Sequence, residues 1–305
     1  MTKFHPIRML AITAFAFSFT TAAFFAPLTV STAARADGLF AVGSTGDDRR
    51  KANLVSRQKM LVERMAANAC LITRGIDVEA DKERLTEAHD IFLATQAALR
   101  EGNDTIGLAA EKNERVLQQL AAVERSFRPF DLAALSIADG TAEVGTMTDM
   151  MRHTTPLYNA LDKLAGLVDR VYVKRQFSVG ALAALDYAGK QRWLSQKMVR
   201  EACLVGDAGQ EHVPLDLGNT LVTFESRLKA LRDGERLIGL PPAEDPELLD
   251  TFDEAEEIWE EIRPVLIDAA DGTAPDPDAL HLLAKDMTPL LAALNDAVYL
   301  IEGRE

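Results

Sequence analysis

Two stretches of this chain carry the residue types that could hold a charged guest. Ala188 to Val205 reads "AGKQRWLSQKMVREACLV", and Val55 to Ile72, 133 residues earlier, reads "VSRQKMLVERMAANACLI". Each copy places a basic residue, Arg192 or Lys59, eleven positions before one of the chain's 2 cysteines, Cys203 or Cys70. On a helix, eleven residues is about 1100°, so cation and thiol share a face roughly 16 Å apart along the axis. A guanidinium is a planar fork that matches a planar oxyanion through paired hydrogen bonds, whereas an ammonium is a point charge. The chemistry on offer is capture of a small anion.

These faces must be positioned by something, and the repetition says what. "LREGNDTIGL" at Leu99 returns as "LRDGERLIGL" at Leu231, and Phe92 returns as Phe224. Arg128-Pro129 returns as Arg263-Pro264, "ADGTA" at Ala138 recurs at Ala270, and "TPL" at Thr155 recurs at Thr288. A period near 130 residues is too long for a solenoid unit, so each copy is expected to be a domain: 37–175 and 176–305. In the second copy helices are expected near 178–205, 214–233, 246–270 and 278–302, separated by Gly/Pro-rich joints such as "GLPPAEDP". No stretch shows the period-two alternation of a half-buried strand. The fold class expected is all-α, two tandem antiparallel four-helix bundles. Nothing around Val168 to Gly180 breaks a helix strongly, so the last helix of the first bundle is expected to approach or enter the first helix of the second.

On the helix carrying Arg192, Tyr187, Leu194, Met198 and Val205 form a core stripe, matched by Leu54, Leu61, Met65 and Ile72. A second stripe holds Gly189, Arg192, Gln196, Val199 and Cys203, with Ser195 at its edge; its counterpart holds Ser56, Lys59, Ala66 and Cys70. Small residues there let another helix come close, and the natural mate of one stripe is the other. Pairing about a local twofold axis would bring Arg192 and Lys59 together in a narrow seam. An anion between them relieves both repulsion and lost hydration. If the helices run parallel, the two thiols meet further along, and an exported chain permits a disulfide between Cys70 and Cys203.

Export is expected from residues 1–36. Lys3 and Arg8 precede an apolar run from Met9 to Val30, and "ARA" ends at Ala36, the pattern of a cleaved signal peptide. Losing Lys3, Arg8 and Arg35 moves the formal charge from −14 to −17, which makes nucleic acid and anionic lipid poor partners. The expected location is the periplasm.

"AGKQRWLSQKMVREACLV" resembles the signature of the PilJ/NarX-type sensor domain, whose first helix carries a pattern close to A-G-x-x-R-M-x-S-x-R-[LM]. Ala188, Gly189, Arg192, Ser195 and Met198 fit it, while Trp193 and Lys197 depart from it. The ending "TPLLAALNDAVYLIE" resembles the closing helix of that family. The resemblance implies Arg192 as the ligand contact at an interface of two first helices, with Gly189 allowing close approach. It implies a small anion, nitrate or nitrite first, as ligand. In the first copy Lys59 replaces the arginine and Glu63 stands near enough to neutralise it. Arg57, about 200° from Lys59 around the helix, is set aside as an alternative donor. Because the chain stops at Glu305 after its eighth helix, a membrane-bound sensor kinase or chemoreceptor is expected to carry the signal. A homodimer is a further pairing that the pattern admits. The rival reading is a ligand-free structural or adaptor protein docked on a chemoreceptor or a type IV pilus assembly.

Enzymatic chemistry is not expected. His89, His153, His212 and His281 have no second histidine at helical spacing, there is no CxxC, and Ser, Cys and His form no activated nucleophile. The acidic run "DEAEEIWEEI" reads as a solvated helix face and "MTDMMRH" as core methionines, so neither a metal nor a cofactor is expected.

Overall fold

A computed structural model describes residues 46–173 and 178–303 of the chain, and these fall in one compact unit spanning 42–305. The leader, with Lys3, Arg8 and the site at Ala36, lies outside the described residues. Eight α-helices run through the described residues: α1 (Asp47–Thr73), α2 (Val78–Glu101), α3 (Glu114–Ala138), α4 (Thr146–Val168), α5 (Val179–Leu204), α6 (Val213–Asp233), α7 (Pro246–Ala270) and α8 (Pro277–Glu302). No strand is present among these residues, so the fold is all-α and built of helical bundles. None of the helices described is long and apolar enough to cross a membrane.

Local chemistry sets the helix ends. Asn113, Ser178, Asp245 and Asp276 each accept a hydrogen bond from a backbone N–H of the first turn they precede, satisfying donors that the helix leaves unpaired. Pro246 and Pro277 start α7 and α8 at the one place where the missing N–H does no harm. The repeated "GNDTIGL" and "GERLIGL" stretches fold identically: a short 3₁₀ turn closed by an antiparallel bridge, Asn103 with Leu108 and Glu235 with Leu240. A Cβ on Gly102 would lie 2.7 Å from the Ala110 nitrogen, and on Gly234 2.7 Å from the Pro242 nitrogen, so both positions require glycine. Helix α4 continues as a π-helical turn over Asp169–Val173, whereas α5 opens on its own cap at Ser178.

Helices α1–α4 pack around one apolar core and α5–α8 around another. Phe92 and Phe127 stack with ring centroids 4.0 Å apart in the first, and Phe224 lies 4.6 Å from Trp259 in the second. Both pairs occupy equivalent positions of the duplication. Burying one such ring stabilises the fold by about 2–3 kcal/mol. The stripe of Leu194, Met198 and Val205 is buried, as are Leu54, Leu61 and Met65.

The two cores are not independent, because α1 packs along α5 as extensively as along its own neighbour α2. The pairing is parallel. Arg192 meets Ser56 and Asn53 at one level, and at the other Cys203 is joined to Cys70 by a disulfide with Cα atoms 6.2 Å apart. Next to the disulfide, Arg74 donates to the Cys203 carbonyl at 2.9 Å and pairs with Asp207 at 2.5 Å.

The disulfide closes a loop of 133 residues, a constraint on the unfolded chain worth about 4–5 kcal/mol in the loop-entropy picture. Thermal unfolding of Cys70→Ser/Cys203→Ser is expected to begin roughly 10 °C lower than in the oxidised protein, with unchanged helicity by circular dichroism.

Candidate functional site

The polar residues that the fold buries are concentrated on the α1–α5 seam. Arg192, on α5, is 2% exposed, and its Nη2 donates to the Ser56 hydroxyl at 2.9 Å and the Asn53 Oδ1 at 3.1 Å. Its Nη1 reaches Asn295 Oδ1 of α8 at 3.4 Å, while its Nε is buried without a hydrogen-bond partner. The second cation beside it is Arg57, 4% exposed, whose Nη2 is likewise buried and unpartnered. Burial lowers the pKa of Arg192 to about 9, and the neighbouring Arg57 lowers it further while Glu302 opposes. Burial lowers Arg57 to about 10, again opposed by Glu302. Both stay charged at neutral pH, so two guanidinium ions share a dry seam with one carboxylate, Glu302. That carboxylate accepts from Asn53 Nδ2 at 2.9 Å.

Lys59 does not join them. Its ammonium pairs with Asp162 of α4 and lies 5.4 Å over the Tyr158 ring and 5.3 Å over the Trp193 ring. The reason is the lean of helical side chains toward the N-terminus. In a parallel pair, the long Arg192 side chain passes Lys59's level and lands among Asn53, Ser56 and Arg57. The facing cation is therefore Arg57, the residue that the helical angle alone had set aside. Glu63 does not neutralise Lys59 either. It is fully buried and grips Arg200 of α5 through two bonds, at 2.7 and 3.3 Å.

Of the other residues expected at the site, Ser56 is in it. Gly189 faces Ser56, but a methyl there would sit at an ordinary 3.7 Å from the Ser56 hydroxyl, so the approach does not depend on glycine. Ser195 is buried and donates to the carbonyl of Arg192 in its own helix at 2.8 Å, away from the cationic cluster. Asn53, Arg57, Asn295 and Glu302 were not anticipated. Asn295 and Glu302 lie seven residues apart on one face of α8, a spacing that could have marked them had α8 been known to reach the seam.

The two flanks of the seam have diverged. On one, Arg200 fills the space between α1 and α4, with Glu63 as counter-ion and Met151 at 4.0 Å. Arg200 is held well above its normal pKa despite burial, because Glu63, Tyr158 and Glu201 outweigh the lost hydration. On the other flank the equivalent positions are Ala67, Gln196 and Ala284, and they leave a cleft of about 20 Å³ also lined by Arg64, Asn68 and Arg84. That is room for about one water. Arg64 pairs with Glu87 at 3.1 Å and Arg84 with Asp81 at 2.5 Å. Met147 and Met151 pack on the second core, as helix methionines commonly do. His89 lies between Asp90 and Asp131, at 2.9 and 3.0 Å. Among the described residues no group of three or more His, Cys, Asp and Glu side chains is placed to hold a metal.

An all-helical bundle protein whose buried polar groups concentrate on one inter-helix seam is the class that fold and site define. The chain belongs to the PilJ family, type IV pili methyl-accepting chemotaxis transducer N-term, whose family model matches residues 48–148 and 176–285. It is a chemoreceptor-associated sensor-type domain of a non-catalytic family. No curated protein and no solved structure is significantly similar to it.

Two measurements check these electrostatics. Glu63→Gln leaves Arg200 buried with Glu201 at 3.8 Å as its remaining carboxylate, so urea unfolding should show a loss of about 3 kcal/mol. Lys59→Ala, whose partner Asp162 is 60% exposed, should lose less than about 1 kcal/mol. Burial raises Asp81 from 3.8 to about 6 against the pull of Arg84, with Asp77 raising it further and His281 opposing. A carboxyl raised in the folded state takes up its proton there first. Stability should therefore grow as pH falls from about 6 to about 4, by about 1–2 kcal/mol once screening on the Arg84 side is allowed for. Asp81→Asn should flatten that window in pH-dependent unfolding curves.

Proposed function

We propose that the chain is an exported, periplasmic sensor module of two four-helix domains, 37–175 and 176–305. In this reading it recognises a small oxyanion, nitrate or nitrite first, on the α1–α5 seam and acts through a membrane-bound sensor kinase or chemoreceptor. One observation carries the proposal: Arg57 and Arg192 are buried together, each with a guanidinium nitrogen lacking a partner, against a single carboxylate. A dry pair of cations with spare donors is a site that a small anion stabilises. The acidic net charge of −14 over the rest of the chain favours a confined anion site over a broad basic surface.

A second reading, a ligand-free adaptor docked on a chemoreceptor or pilus assembly, is favoured by the two bonds that Arg192 Nη2 already makes to Asn53 and Ser56. Calorimetric titration of the full chain with sodium nitrate, nitrite and sulfate separates the two. Saturable binding of nitrate or nitrite is expected, weakened about tenfold to a hundredfold by Arg192→Ala or Arg57→Ala, the worth of hydrogen bonds to a charged group. Lys59→Ala should change it less than about threefold, given its exposed partner. Absence of binding in the unaltered protein, or equal binding by both arginine variants, would remove the anion reading and leave the adaptor.

A further inference from the structure

Resting on the seam reading above, we propose that Glu302 is the resident occupant of the anion site. The guest is then a planar monoanion of carboxylate shape that binds by exchange with the Glu302 side chain, releasing the last turn of α8.

Glu302 is the final residue of α8, yet it is only 8% exposed, because its carboxylate is directed into the seam. Asn53 ties it to the cations: the Nδ2 of Asn53 donates to Glu302 Oε2 at 2.9 Å, and its Oδ1 accepts from Arg192 at 3.1 Å. Glu302 is also the carboxylate that sustains the charge of both Arg57 and Arg192. One turn-aligned position earlier, seven residues back, Asn295 touches Arg192 at 3.4 Å. Helix α8 thus supplies two groups to a cationic pair that belongs to α1 and α5.

Charge conservation in a dry seam dictates the mode of entry. If Glu302 left alone, two like charges would face each other without water, which burial makes strongly unfavourable. Departure is therefore tied to arrival of another anion. A carboxylate is trigonal and singly charged; nitrate, nitrite and formate share that shape and charge and can take over its bonds. A tetrahedral dianion brings a bulk and a charge that the carboxylate's place does not match. After exchange, the Glu302 side chain loses its bond to Asn53. The last turn, closed by the Gly303 N–H on the Tyr299 carbonyl at 3.1 Å, loses the anchor that holds it against α1.

Two experiments on the full chain decide the matter. Nitrate and formate are titrated calorimetrically into the unaltered protein and Glu302→Gln, with sulfate as the control anion. Amide hydrogen exchange across the end of α8 is followed in the unaltered protein with and without saturating nitrate. Exchange predicts nitrate binding at least tenfold tighter in Glu302→Gln, little sulfate binding, and faster amide exchange at 299–303 on adding nitrate. Tighter binding in Glu302→Gln without loosening of α8 means that the anion adds beside Glu302, and the inference is wrong while the seam site stands. Equal or weaker binding in the variant also overturns it. Failure of both proteins to bind any of the three anions overturns the seam site itself. The hydrogen-exchange arm needs no substitution, so an unstable variant does not blunt the test.

Discussion

Two guanidinium ions cannot be buried side by side unless neighbouring groups replace the water each has lost and screen each from the other. Arg57 and Arg192 face that constraint on the α1–α5 seam, and much of the surrounding arrangement answers it. Asn53 turns its amide oxygen to Arg192 and its amide nitrogen to Glu302, so one side chain links cation to anion. Ser56 and Asn295 add acceptors from two further directions. Even so, the charges do not cancel within the cluster, and a guanidinium nitrogen of each arginine remains without a partner. A seam that carries residual repulsion at one end must be held elsewhere. The disulfide between Cys70 and Cys203 and the buried Glu63–Arg200 pair lie on the side of the seam away from the arginines and supply that hold.

The duplication explains why the two supports differ. Each bundle offers the same backbone frame, and positions related by 133 residues face each other across the seam. At several of these positions the side chains have become opposites. Glu63 faces one flank where Gln196 faces the other, and Arg200 and Met151 fill a space that Ala67 and Ala284 leave open. A symmetric pair of identical bundles would have to place the same ion pair, or the same cleft, on both flanks. Joining two copies in one chain removes that requirement, so one flank serves as a lock and the other keeps a small polar cleft.

Much of this was legible in the sequence, for reasons that can be named. Helix bounds were readable because caps and prolines mark them: α7 was expected and found from Pro246 to Ala270. The parallel meeting of α1 and α5, and the cysteine pairing, were readable because the small-residue stripe and the eleven-residue spacing occur twice. Which cation meets Arg192 was not readable from angle alone. Helical angle ranks Lys59 first, but reach along the axis decides the contact, and arginine reaches past its own level to Asn53 and Arg57. Glu302 was invisible for a different reason. It belongs to no repeat of the seam motif, and its place follows only from how α8 packs against α5 and, at its end, α1.

The position of the disulfide has a mechanical consequence. Cys203 lies eleven residues beyond Arg192, about 16 Å along the helix. A covalent tie at that end means the two bundles cannot part as rigid bodies while it is intact. Any change of charge at the arginines can be taken up only by splaying the opposite end of the α1–α5 pair or by moving the elements that touch the arginines from outside it. Of those elements, α8 reaches the arginines through Asn295 and Glu302 near its end, whereas α1 and α5 are each packed along their length in their own bundles. The least constrained response lies therefore in the last turn of α8, where holding the carboxylate in place depends on the same charges that a guest would satisfy.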